Sequence, residues 1–197
     1  MRDPEIRGAV KNILLAPFFL DPDTLIVEEL GLRHGAGRID IAVINGEFHG
    51  YELKGDQDTL RRLPRQIAVY NSVLDRVTLI VTRHHVAQAT EMVPDWWGII
   101  LAETQLECAI DFKTIRSGTK NSSVSAIAVA KLLWRDEALQ LLAELGAIDG
   151  MRSKPRGKIY SRIIDLIDLP QLQDSVRNRL KSRKDWRSAG QQRPCDG

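Results

Sequence analysis

Hydrophobic and polar positions follow two different periods along the first 115 residues, one typical of helices and one typical of strands. A helical period with Pro4 at the first helical position covers residues 4–16. Beyond it, short runs with the two-residue period of strands are separated by longer stretches with an apolar stripe. The predicted strands cover residues 24–30, 37–44, 47–54, 76–83 and 96–103, and the predicted helices between them cover 58–75 and 84–93. This order predicts a mixed α/β fold.

The pattern changes after about residue 115. The segment SGTKNSS at residues 117–123 is polar and has no apolar period, which predicts a linker. Helical patterns then return at residues 125–146, 157–168 and 170–184. We therefore expect a core over residues 1–116, a linker over 117–123 and a basic helical C-terminal region over 124–197.

Three charged residues interrupt strands where buried side chains are expected. Asp40 lies in the segment GRIDIAVI, and Glu52 and Lys54 lie in GYELK. Strands disfavour these residue types, and an unpaired charge on a covered sheet face is costly. Alternation along the strand places Glu52 and Lys54 on the same face. A shared ligand would explain all three charges.

Bringing Asp40 to the same site requires a particular hairpin register. Asn45-Gly46 is typical of a two-residue hairpin turn, and in regular register such a turn would place Asp40 opposite Tyr51. Glycine inside a strand often marks a bulge, and one extra residue would move Asp40 opposite Glu52. We therefore predict a bulge or an equivalent irregularity around His49 and Gly50.

Two carboxylates at one site suit a hard divalent cation. Mg²⁺ or Mn²⁺ takes oxygen ligands, so Asp40 and Glu52 are the candidate metal ligands, with the backbone carbonyl of Leu53 as a further one. Lys54 would contribute a positive charge that stabilises phosphate oxygens or orients a metal-bound water.

The arrangement of Asp40, a hairpin and Glu52-x-Lys54 after a helix and a strand resembles the PD-(D/E)XK nuclease superfamily. Gln66 and Tyr70, four apart on the next helix, resemble the Q-x-x-x-Y element of its RecB-like members. Within the superfamily, the chain is most similar to small uncharacterised bacterial proteins assigned as nucleases. Ile39 replaces the proline that often precedes the first acid.

The resemblance implies a restriction-endonuclease-like core in αβββαβ order, with the helical C-terminal region as an appendage. It also implies a metal-dependent nuclease acting on nucleic acid, DNA in preference to RNA, with Asp40, Glu52 and Lys54 as catalytic residues. Gln66 and Tyr70 would support the site. An upstream acid on the first strand would add a metal ligand, and Glu29 is preferred to Glu28 for this role.

Two other interpretations remain open at this stage. The protein could be a catalytically silent member that binds nucleic acid or a protein partner, or a structural subunit whose charges only pair. Repair, restriction and phage defence are all compatible with the nuclease interpretation, and a homodimer would suit two cuts on a duplex. Trp96 and Trp97 fit a packing role better than base stacking.

Charge is distributed unevenly along the chain. Residues 1–150 carry 16 Lys and Arg against 21 Asp and Glu, whereas residues 151–197 carry 12 against 5. The basic segments RSKPRGK at 152–158 and RNRLKSRKDWR at 177–187 could contact phosphates, and Lys181, Arg183 and Lys184 are the candidate nucleic-acid contacts.

Composition indicates the cellular compartment of the protein. Cys108 and Cys195 are the two cysteines of the sequence and lie far apart, which favours neither a disulfide framework nor a thiolate metal site. No apolar run approaches the roughly 20 residues needed to span a bilayer, and no signal peptide is evident. A cytoplasmic location is therefore expected.

Overall fold

The computed structural model describes residues 1–105 and 109–183. Within these residues six strands form one mixed sheet in sequential order. β1 to β3 are antiparallel neighbours, β3 to β5 run parallel, and β6 is antiparallel to β5. The strands are β1 Leu25–Leu32, β2 Gly37–Ile44, β3 Phe48–Lys54, β4 Arg76–Thr82, β5 Gly98–Thr104 and β6 Ile110–Arg116. The mixed α/β class is confirmed.

The same part of the chain contains seven α-helices. They are α1 Asp3–Ala9, α2 Leu63–Val73, α3 Val86–Met92, α4 Ala126–Ala130, α5 Arg135–Glu144, α6 Arg156–Ile164 and α7 Leu169–Ser182. α1 continues as a π-helix over Val10–Leu14 and then a 3-10 helix over Ala16–Leu20, so the predicted helix at residues 4–16 changes its winding midway. None of the helices in the described residues is long and apolar enough to cross a membrane.

Two elements differ from the sequence-based prediction. β6 was not predicted, because its charged residues Asp111 and Lys113 weaken the apolar signal, although charges of this kind are common on edge strands. The helix predicted at 125–146 is interrupted before α5, where Trp134 adopts an extended conformation. The Trp134 backbone N–H donates to the Glu137 carboxylate at 2.7 Å, which caps the start of α5.

The hairpin between β2 and β3 has a different loop from the predicted one. Ile44 pairs with Phe48, so the loop contains three residues rather than two, and the regular pairing continues to Ile41 opposite Tyr51. The predicted bulge is wrong, because the longer loop supplies the shift by itself. Gly50 instead allows close packing, since a Cβ there would lie 2.6 Å from Leu74 Cδ1.

The sheet is covered on both faces. One face packs against α2 and the C-terminal helices in a large apolar cluster. The other face packs against α1 and the segment that follows it in a smaller cluster that includes Ile41, Leu53 and Ile80. Because buried residues of α4 to α7 belong to the large cluster, the helical C-terminal region packs directly against the sheet domain. The domain boundaries at 116 and 124 remain predictions.

A buried carboxylate joins α7 to the sheet. Asp75, just before β4, accepts hydrogen bonds from the Phe48 backbone N–H at 2.8 Å and from Gln173 Nε2 at 2.7 Å. The Asp75 carbonyl also accepts from the Asn121 backbone N–H at 2.8 Å, which holds the 117–123 segment in place. A single side chain therefore links β3 to a helix almost one hundred residues later.

Replacing Asp75 with alanine should destabilise the protein by about 3 kcal/mol, because two buried donors lose their acceptor. Urea unfolding followed by circular dichroism measures the change. The matched control is Asp149→Ala, at an exposed position, which should change stability by less than about 0.5 kcal/mol. An equal effect of the two substitutions would contradict the linking role of Asp75.

Candidate functional site

The structure brings together five polar residues, which we call the polar cluster: Asp40, Glu52, Lys54, Gln66 and Tyr70. Asp40 lies in β2, Glu52 and Lys54 lie in β3, and Gln66 and Tyr70 lie on α2. Glu52 and Lys54 are only 1% and 4% exposed, so their charges are almost completely removed from water.

Glu52 occupies the centre of the polar cluster. One of its carboxylate oxygens accepts from Lys54 Nζ and, at 2.6 Å, from Gln66 Nε2. The other oxygen lies 2.7 Å from the Tyr70 hydroxyl, which is also 2.5 Å from the Arg38 carbonyl and can donate to either. Burial and the Glu52 charge together raise the pKa of Tyr70, so this hydroxyl keeps its proton.

Asp40 lies at the edge of the polar cluster and is held by different donors. Its Oδ2 accepts from the Leu53 backbone N–H at 2.8 Å, and its Oδ1 lies 3.3 Å from the Arg7 guanidinium. Burial raises the pKa of Asp40 to about 7, and repulsion from Glu52 adds to the rise, although Leu53, Lys54 and Arg7 oppose it. The Glu52 carboxylate is therefore close enough to affect the ionisation of Asp40.

Glu29, the predicted upstream metal ligand, lies beside two arginine side chains. Its carboxylate lies 3.0 Å from Arg7 and 2.5 Å from Arg38. Its backbone has a φ of 58°, a left-handed conformation that interrupts the pairing of β1 with β2. Glu28 pairs with Lys11 at 2.6 Å and also lies 3.7 Å from Arg7.

The donors around Asp40 and Glu52 determine how a cation could bind. All four carboxylate oxygens already lie within hydrogen-bond distance of protein donors. No group of three or more His, Cys, Asp or Glu side chains suited to a metal ion occurs among residues 1–105 and 109–183. Gln66 Oε1 is buried without a hydrogen-bond partner and offers one further oxygen. A cation would therefore compete with Lys54 and Arg7.

The three candidate nucleic-acid contacts near the end of α7 differ in their environments. Arg183 is largely buried and donates to both Glu137 carboxylate oxygens, at 2.6 and 2.5 Å. Lys181 lines an open cleft that also contains Asp21, Asp23 and Glu47. Lys184 lies outside the described residues. Phosphate contact by these three residues remains a prediction.

A second set of cations lies on and just before α6, and we call it the basic surface: Arg152, Lys154, Arg156, Lys158 and Arg162. All five are exposed, and among the described residues none of them forms an ion pair with an acid. The sequence from residue 150 to residue 164 contains no Asp or Glu. The basic segment at 152–158 had indicated the first four of these residues, whereas Arg162 was missed.

Two further residues, His34 and Lys131, lie close to the basic surface. His34, in the turn between β1 and β2, contacts the Tyr160 hydroxyl at 3.2 Å. Its pKa is lowered by burial and by the positive charges of Arg156 and Lys131, which must therefore lie nearby. His34 and Lys131 are far from residues 152–162 in sequence, so no sequence pattern indicated this proximity.

Comparison with known proteins identifies the family. A model of the family described as Bacteriophage P4 protein cII matches residues 1–191. The chain belongs to this family. Protein cII of Enterobacteria phage P4 is 25% identical over 146 residues, which cover 74% of this chain and 54% of the phage protein. The chain thus spans about half the length of the curated relative it matches. No solved structure matches the chain significantly.

Membership of the protein cII family corrects the functional expectation. The matching family is not a PD-(D/E)XK nuclease family, so the assignment to that superfamily is wrong. The expected nuclease function, and with it the classification as a hydrolytic enzyme, is wrong for the same reason. The motif misled because its spacing also places a carboxylate, an ammonium group and a phenol where they can satisfy one another without any reaction.

In this cII family member, replacing Asp40 with asparagine should flatten the pH dependence of stability. The folded state holds the Asp40 proton more tightly than the unfolded state, because the pKa is raised from 3.8 to about 7. Its contribution is present below about pH 4 and is lost as the pH rises to about 7. Unfolding free energies at pH 4, 5, 6 and 7 should show this loss in the parent and not in Asp40→Asn.

The control for the pH experiment is Asp165→Asn, which changes an exposed carboxyl group on the surface. Its stability curve should run parallel to that of the parent protein. Parallel curves for the parent and Asp40→Asn would show that burial of Asp40 does not control this pH window.

Proposed function

We propose that this member of the protein cII family binds nucleic acid, with DNA as the preferred ligand, through the basic surface. The observation that carries the proposal is the set of five exposed cations, Arg152 to Arg162, without acidic partners among the described residues. Exposed Lys and Arg side chains supply most of the affinity for phosphate backbones by releasing condensed counterions. The polar cluster has no hydrolytic role in this proposal.

The geometry of α6 supports binding to an extended polyanion. The helix buries Ile159, Tyr160 and Ile163, so its opposite side faces solvent. Lys158 and Arg162 are four residues apart and lie on the same side of the helix. The loop before α6 is held by Arg135, which donates to the carbonyls of Lys154 and Arg152 at 2.8 and 2.6 Å. The cations therefore project from a supported surface.

The charged groups inside the protein also favour the basic surface as the nucleic-acid-binding site. Arg183 and Lys54 are both paired with carboxylates within the protein, and Lys181 lies beside acidic side chains. These groups are less available for phosphate than the cations of α6. The exposed cations of the basic surface are therefore better placed to meet a polyanion than these groups are.

We propose further that the fold is of the restriction-endonuclease type, without the activity of those enzymes. The order α1, β1, β2, β3, α2, β4 supports this architectural assignment, and α4 to α7 would be the added helical region. A homodimer remains a prediction, which sedimentation analysis of the purified protein would test.

Neutralising Lys158 and Arg162 together as alanines should weaken DNA binding about tenfold or more near physiological salt. The slope of log K against log salt should fall by about 2, because two phosphate contacts are lost. Fluorescence anisotropy with a labelled duplex of about 20 base pairs, at several salt concentrations, measures both quantities.

The matched control is Lys113→Ala with Lys120→Ala, which removes the same charge from exposed positions on β6 and in the following segment. This pair should change affinity less than about twofold. Equal losses for the two double variants would indicate a general charge effect. An unchanged salt slope for Lys158→Ala/Arg162→Ala would overturn the proposal.

A divalent cation at the polar cluster is a second proposal, which the proximity of two carboxylates favours. Mg²⁺ or Mn²⁺ would take oxygens of Asp40 and Glu52, the Leu53 carbonyl and the unpartnered Gln66 Oε1. Lys54 competes for Glu52, so the parent protein should bind weakly. Lys54→Ala should tighten Mn²⁺ binding about tenfold or more in calorimetry. Glu52→Gln provides the control, since it removes the ligand charge, and equal affinity in all three proteins would contradict the site.

A further inference from the structure

Trp134 differs from the other tryptophans of the described residues because its side chain is largely in solvent. Trp97 is fully buried and Trp96 packs against it, whereas Trp134 is 54% exposed. Tryptophan is enriched at interfaces, because it combines a large apolar ring with a polar N–H group. Contacts within the protein therefore leave about half of this side chain accessible to a ligand.

The ring of Trp134 is held in place from one side. The Arg183 guanidinium lies 4.3 Å from the ring centroid, and Arg183 is itself fixed by two hydrogen bonds to Glu137 and one to the Leu132 carbonyl. The Trp134 backbone is fixed in the extended conformation by the cap of α5. A preorganised ring loses little conformational freedom when it stacks against a ligand.

Trp134 is connected to the basic surface through its neighbour in the chain. The next residue, Arg135, reaches the loop that carries Arg152 and Lys154 and donates to both of their carbonyls. An exposed aromatic ring next to a row of cations is the combination with which proteins bind unpaired nucleic-acid strands. In a duplex the bases are already stacked on each other, and the ring has no base face to meet.

We infer that Trp134 stacks on an unpaired base, so that the preferred ligand of the basic surface is single-stranded nucleic acid. This inference rests on the proposed nucleic-acid binding and adds its substrate class. The cations would follow the phosphates in either kind of strand, and Trp134 would add affinity for the single strand alone.

The test compares full-length parent, Trp134→Leu and Trp134→Phe proteins on labelled oligo-dT of about 20 nucleotides and on a duplex of the same length. Leucine keeps an apolar side chain beside Arg183 but removes the aromatic face, whereas phenylalanine keeps a face. We expect Trp134→Leu to weaken oligo-dT binding about tenfold and duplex binding less than twofold, with the salt slopes unchanged. Trp134→Phe should restore most of the oligo-dT affinity. Melting temperatures verify folding.

Several results would overturn the inference. If Trp134→Leu loses the same affinity for both probes, or none for oligo-dT, Trp134 does not stack on a base. The proposed salt-dependent binding through Lys158 and Arg162 would be unaffected by that result. Unchanged oligo-dT binding with a loss of self-association in sedimentation would assign the ring to a protein contact. If the parent protein binds neither probe, the proposed function fails and the inference fails with it.

Discussion

The burial of Glu52 and Lys54 in β3 is the constraint on which the surrounding structure depends. β3 is covered by α1 on one face and by α2 on the other, so a charge there has no access to water. A buried ion pair gains net stability only when its remaining hydrogen-bonding groups are also satisfied. Gln66 and Tyr70 meet that requirement from α2. The position of α2 on the sheet is therefore tied to the polar residues of β3.

The buried carboxylate of Asp75 similarly fixes the position of the C-terminal helical region on the sheet. Asp75 binds the Phe48 backbone and Gln173, and thereby sets where α7 lies relative to the sheet. Arg183 then fastens the end of α7 to α5 through Glu137. Charged groups thus hold together elements that apolar packing alone would position less specifically. Arg183 belongs to a basic segment of the sequence, but its side chain is largely buried and pairs with Glu137.

The distinction between internal and external charge explains why a nuclease-like motif can occur in a protein cII family member. Asp40, Glu52 and Lys54 have the spacing of a catalytic centre, yet each has protein partners. Spacing along a strand specifies which side chains share a face, and it does not specify whether they act on a substrate or on one another. Function must be argued from groups that remain exposed, and the basic surface and the ring of Trp134 are two such features.

The sequence alone determined the element types, because their periods are local properties. The five predicted strands and the helices of the first 105 residues are present with small shifts in their bounds, and the joint position of Glu52 and Lys54 follows from alternation. The three-residue loop over 45–47 brings Asp40 opposite Glu52, whereas the local Asn-Gly signal favours a two-residue loop. Gly50 packs closely against Leu74, a contact between distant segments that no local pattern shows. Whether an individual cation is buried in an ion pair or exposed to solvent also depends on the tertiary structure. Arg183 and Arg162 are alike in sequence, but only packing decided that one is paired inside and the other faces solvent.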